Sequence, residues 1–127
     1  MKKYSAMWWK DKVDHVFARY IKLVRPHRCY TCHKWMPVEK LQAGHFVPRH
    51  HNSTRYDETN VQPQCGQCNM FEQGKQHDFG VHLDKELGYG TADRLKAKGS
   101  QPHKFTVQEL EDLYDYYVEK VLELEVK

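Results

Sequence analysis

Four cysteines stand as two Cys-x-x-Cys pairs, Cys29 with Cys32 and Cys65 with Cys68, and 32 residues separate the pairs. Four thiolates so spaced form the soft tetrahedral set that zinc favours in a closed structural site. Such a site has no open coordination position, so any reaction needs other groups. Those groups stand between and just after the pairs, in "AGHFVPRHHNSTRYDETNVQPQCGQCNM", residues 43 to 70. His45 can take a proton from water. Asn69 directly follows the last cysteine, and Glu72 stands three residues further on, on the same face if the chain there is helical. An amide oxygen, a carboxylate and a neutral imidazole converging on one point would suit a hard divalent ion, Mg2+ or Mn2+. Arg49, His50, His51 and Arg55 flank His45 and are the residue types that contact phosphates.

These groups need a scaffold. Residues 6 to 24 carry Val13, Val16, Phe17, Tyr20, Ile21 and Val24 at the spacing of one helix face, with Ser5 as N-cap and Pro26 as stop. Apolar runs on either side of Pro37 predict two short strands, with His45 on the second, and another strand is expected around Val61. Residues 49 to 59 read as a polar surface loop. A helix is expected from Asn69 to about Leu87, ended by Gly88, with Gly74 and Gly80 as the places where it could break. Another short helix starts at Thr91. Thr106 and Glu109 form a capping box for a final helix whose Val107, Leu110, Tyr114, Tyr117, Val118 and Val121 make an apolar stripe. That stripe has two covers open to it, the first helix or a second copy of the chain in a homodimer. Trp8 and Trp35 read as core rather than as base-stacking residues. The architecture expected is α+β: a small zinc-stapled core over residues 27–88, of treble-clef-like layout, between an N-terminal helix and C-terminal helices at 91–125. At 127 residues the chain has the size of one domain.

The net charge of +3 conceals a division, with 12 Lys and Arg against 5 Asp and Glu in residues 1 to 60 but 8 against 12 in 61 to 127. A basic first half is compatible with a polyanionic partner such as DNA. No stretch reaches the roughly 20 apolar residues of a membrane span, and "MKKYSAMWWKDK" lacks the apolar segment of a signal peptide. A cytoplasmic protein is expected, in which paired cysteines are metal ligands rather than disulfides.

The order Cys29-x-x-Cys32, Gly44-His45, Asn60, Cys65-x-x-Cys68-Asn69 resembles the His-Asn-His (HNH) endonuclease superfamily, whose core is the ββα-metal fold. "FARYIKLVR", "LQAGHFVPR" and "TRYDETNVQPQCGQCN" resemble more closely the phage NinG/Rap recombination nucleases, which act on branched DNA. The layout is also similar, more distantly, to the phage endonuclease VII family of Holliday-junction resolvases, which has a carboxylate at the place of Glu72. The resemblance implies His45 as general base, Asn69 as ligand of the catalytic metal, and Asn60 as the middle asparagine that holds the loop and orients the histidine. It also implies a phage or prophage protein working in the bacterial cytoplasm. Many such sites have an Asp ligand just before the base; this chain has Gly44, which cannot ligate. Two other readings stay open: a non-catalytic zinc-knuckle DNA-binding recombination protein, and an HNH enzyme that nicks plain duplex.

Overall fold

The computed structural model describes residues 4–126. Helix α1, Ala6–Val24, is capped by the Ser5 side chain, which accepts a hydrogen bond from the Trp8 N–H at 3.2 Å. Its apolar stripe buries Val13, Phe17 and Ile21. The last helix, α5, Val107–Glu125, starts at a complete Thr106–Glu109 capping box and buries Leu110, Tyr117 and Val121. Phe17 and Ile21 of α1 pack with Tyr117 of α5 and with Val61, and Phe17 meets the Tyr117 ring edge-on at 5.0 Å. The α5 stripe therefore packs against α1.

Between these helices lies one antiparallel pair of strands, β1, Leu41–His45, and β2, Val61–Cys65, in the register Leu41–Cys65 to His45–Val61. The strand expected before Pro37 is reduced to an isolated bridge between Arg28 and Trp35, and the tight first knuckle leaves no length for more. His45 thus ends the first strand of the hairpin. The connection from β1 to β2 holds a four-residue helix, α2, Asn52–Arg55, and a tight 3-10 turn, Glu58–Asn60.

The helix expected from Asn69 is broken. Gln67–Phe71 forms a wide π-helical turn, closed by the Glu72 N–H on the Gln67 carbonyl at 2.9 Å, and the chain reverses through three left-handed residues, Gln73, Gly74 and Lys75. Helix α3, Gln76–Leu87, then runs without interruption to Gly88. Gly80 does not break it, because it is the point where α3 meets the Phe46 ring too closely for a larger residue to fit without displacement. Helix α4, Thr91–Gly99, follows and closes a second core of Phe46, Val47, Phe79, Leu83, Ala92 and Leu95. The fold is mostly helical α+β. Trp8 and Trp35 are not core: they are 36% and 67% exposed. Among the described residues no helix is long and apolar enough to cross a membrane.

Candidate functional site

The sulfurs of Cys29, Cys32, Cys65 and Cys68 lie within 4.8 Å of one another. Cys32 and Cys65 stand 3.8 Å apart, the edge of a tetrahedron with zinc–sulfur bonds of about 2.3 Å. Each pair makes the same local turn: the N–H of the second cysteine points at the sulfur of the first, Cys32 to Cys29 at 3.5 Å and Cys68 to Cys65 at 3.4 Å. Burial works against a Cys29 thiolate, but hydrogen bonds from Thr31 and nearby backbone outweigh it and hold that thiol down at about 6. The four cysteines fit a zinc ion as structural ligands, tying the first knuckle to the end of β2. Among the described residues they are the one group of three or more His, Cys, Asp and Glu side chains close enough to share an ion.

Beside this staple, an open cleft of about 470 Å³ is lined by Ala43, His45, Pro48, Arg49, Asn69, Gln73, Gly74 and Gln76. The structure therefore brings His45, Asn69 and Arg49 together. The His45 Nε2 lies 3.0 Å from the Arg55 carbonyl. A carbonyl can only accept, so Nε2 carries the proton and Nδ1 keeps its lone pair for a proton from outside. Burial, followed by the charges of Arg49 and Arg55, pushes the imidazole below its ordinary pKa, against the opposing pull of its hydrogen bond to Arg55 and of Asp14. It is a neutral base at neutral pH.

Asn60 is buried completely and fixes the loop that carries the Arg55 carbonyl. Its Oδ1 accepts from the Val47 N–H at 2.8 Å, and its Nδ2 donates to the carbonyls of Val47 at 3.0 Å and Thr54 at 3.1 Å. Its own carbonyl accepts from the Phe46 N–H at 2.8 Å. The loop is thus clamped on both sides of His51.

Arg55 departs from the sequence expectation. Its guanidinium is only 12% exposed and grips Asp14 of α1, Nε to Oδ1 at 2.9 Å and Nη2 to Oδ2 at 2.6 Å, while Nη1 donates to the Arg49 carbonyl at 2.9 Å. Tyr56 adds its hydroxyl to Asp14 at 2.7 Å. Arg55 is committed to the scaffold and is not free for phosphate. Asp14 and Tyr56 went unnoticed in the sequence because nothing local links α1 to a loop about 40 residues on. The one available signal was an acid, Asp14, on the helix face beside the buried Val13 and Phe17. Arg49 is 62% exposed, only loosely paired with Asp14 at 3.8 Å, and stands on the cleft wall. The His50 and His51 rings lie against one another, centroids 4.1 Å apart and tilted by 39°, outside that wall.

Glu72 is not brought to the site. The wide turn carries it away from the Asn69 face, and its Oε2 accepts from Gln67 Nε2 at 3.2 Å. Asn69 Nδ2 donates to Gln42 Oε1 at 2.8 Å, which leaves its Oδ1 as an acceptor. A side chain at position 44 would overlap the carboxamide of Gln64, which fills that space. Gln64 is buried, and its Nε2 braces Thr31 at 3.1 Å and the Gly74 carbonyl at 2.9 Å, while Oε1 has no hydrogen-bond partner among the described residues. The cleft thus offers amides but no carboxylate, and this donor set does not fit a protein-built site for Mg2+ or Mn2+, which hold carboxylate oxygens by preference.

A family model described as Bacteriophage Lambda NinG protein matches residues 1–126. Protein ninG of Escherichia phage 933W is 25% identical over 123 residues, covering 96% of this chain and 60% of that protein. Protein ninG of Salmonella phage P22 and that of Escherichia phage lambda are each 24% identical over 123 residues, covering 96% of this chain and 60% and 59% of their own lengths. The chain spans about three fifths of the curated relatives it matches. No solved structure matches it.

Proposed function

The chain belongs to the bacteriophage lambda NinG family, and from that premise we propose that it is a DNA endonuclease of the HNH, ββα-metal type that hydrolyses phosphodiester bonds in branched recombination intermediates. The observation that carries the reading is His45 itself. It is a half-buried imidazole with its Nε2 proton committed to the Arg55 carbonyl and its basic Nδ1 available beside an open cleft. In the proposed reaction His45 takes the proton of the attacking water, the water oxygen bonds to phosphorus as the bond to the leaving sugar oxygen breaks, that oxygen takes a proton from solvent, and Arg49 on the cleft wall receives the scissile phosphate. Asn60 keeps the imidazole in place through the loop it clamps. The antiparallel hairpin followed by a zinc-pinned helical turn, with His45 at a strand end and Asn69 in that turn, supports the ββα-metal assignment. No step is assigned to a divalent ion, because the cleft lacks the carboxylate that would hold one. A homodimer that sets two sites for paired cuts would need a face other than the α5 stripe, which α1 covers.

One observation favours a second reading, a zinc-knuckle DNA-binding protein without catalysis: Gln64 occupies the place of the ligand that Gly44 lacks. Junction, nicked, flap and linear DNA offered to the zinc-loaded protein, in magnesium, in manganese and in buffer with no added divalent ion, separate the two. The nuclease reading expects cleavage, with branched DNA preferred over linear, and a loss of about 10²-fold or more for His45→Ala at unchanged zinc content and DNA affinity. Binding without cutting in every buffer would leave the binding protein in its place.

A further inference from the structure

A second concavity lies beside the outer edge of β2, and cations line it. The end of α1, the first knuckle, β2 and α3 enclose an open pocket of about 250 Å³ that shares no lining residue with the His45 cleft. Pro63 stands on the pocket wall at the outer edge of β2, where its carbonyl accepts from the Tyr30 N–H at 2.8 Å, while Ala43, its partner across the strand pair, stands on the cleft wall. Arg25, Arg28 and Lys85 reach this pocket, and none of the three enters an ion pair among the described residues. Arg25 donates to neutral groups, to Gln62 Oε1 at 3.2 Å and the Glu58 carbonyl at 2.9 Å, and not to a carboxylate. Arg28 lies over the exposed Trp35 ring at 5.6 Å. Glu86 is the one carboxylate on the wall, and the Tyr30 hydroxyl already donates to it at 3.0 Å.

At the rim, His33 and His82 face each other, Nε2 to Nε2 at 3.1 Å. His33 holds a left-handed backbone, φ 66°, in the zinc knuckle, a conformation that side-chain-bearing residues rarely adopt and that sets its ring against α3. Two imidazoles at this spacing could also chelate a transition metal. The surroundings decide between the two ligands: three cationic side chains against one hydrogen-bonded carboxylate repel a divalent cation and attract an anion. We propose that this pocket is a phosphate-binding site, in which Arg28 and Lys85 contact the phosphate, Arg25 adds its charge from behind, and His33 and His82 close the rim. The phosphate can belong to a DNA strand or to a free phosphate compound, and the assignment does not depend on chemistry at His45.

The test titrates inorganic phosphate, and separately a short DNA duplex, into the zinc-loaded full chain while the His82 imidazole is followed by NMR. Wild type and Arg28→Gln/Lys85→Gln are compared; both positions are exposed, so the double variant should keep its fold and zinc. Saturable shifts with both probes, abolished in the double variant, are expected. Duplex affinity should then fall about tenfold, and the salt slope should shrink by about 0.9 for each DNA phosphate that the variant no longer neutralises. A response to phosphate but not to DNA also supports the pocket and assigns it a free phosphate compound. Three results would overturn it: no response to either probe, an equal response in the double variant, or a response only to zinc added beyond one per chain.

Discussion

Removing the Asp14 carboxylate tests the strut that runs from α1 through Arg55 to His45. Asp14 accepts three charge-assisted hydrogen bonds, two from Arg55 at 2.9 and 2.6 Å and one from Tyr56 at 2.7 Å. In Asp14→Ala the Arg55 guanidinium stays largely enclosed with no counter-charge. Breaking a fully buried pair in this way costs about 3–5 kcal/mol; because Arg55 and Asp14 keep 12% and 17% of their exposure, the lower end, about 3 kcal/mol, applies. At about 4 °C per kcal/mol for a chain of this size, the melting temperature should drop by about 12 °C. Cleavage should fall by about 10- to 100-fold, because the carbonyl that fixes the His45 tautomer sits on the residue that has lost its anchor. Calorimetry and single-turnover kinetics would measure the two effects. A cycle with Arg55→Met should show coupling of about 2 kcal/mol, since the second substitution removes the stranded charge. If Asp14→Ala cost less than about 0.5 kcal/mol and the double mutant were additive, the strut would not be what holds His45.

Further outcomes follow from the same geometry. Protein purified without added metal should contain one zinc per chain, and chelation should melt the domain, which elemental analysis and circular dichroism would record. Asn60→Ala strands two carbonyls and one N–H in a fully buried place, so a loss of about 3 kcal/mol is expected in denaturant unfolding. The His45 pKa is depressed below its ordinary 6.5, so the acid limb of kcat/KM should fall below pH 6.5. The unfolded chain takes up that proton first as pH falls, so stability contributed by neutral His45 is complete above about pH 6.5 and is lost toward the lower folded pKa. Arg49→Ala removes one of the charges that depress it and should move the limb upward, only slightly because the Arg49 side chain is 62% exposed and screened.

Helix α1, the capping box of α5 and the cysteine cluster were legible in the sequence because each rests on local signals: an apolar repeat, a cap, a paired spacing. Gly74 marked the break before α3, whereas Gly80 was a poor guide, since it answers to the Phe46 ring and not to its own backbone. Spacing alone also misplaced Glu72, because the three-residue rule assumes an α-helix and Gln67–Phe71 winds wider. Arg55 looked like a phosphate ligand for want of any sign that Asp14 would claim it. For Gly80 and Arg55 the deciding contact is distant in the chain, and for Glu72 it is a turn held by the zinc knuckle.

The close approach of Gly44 and Gln64 makes these two positions mutually exclusive. A carboxylate at 44 needs the volume that the Gln64 amide occupies, and Gln64 cannot leave without releasing Thr31 and the Gly74 turn from each other. A route from this site to one with an acidic ligand therefore cannot pass through Gly44→Asp alone. It has to begin with a shorter residue at 64 and a new brace between the knuckle and the turn, so the first step toward a stronger metal site is one that weakens the frame around it.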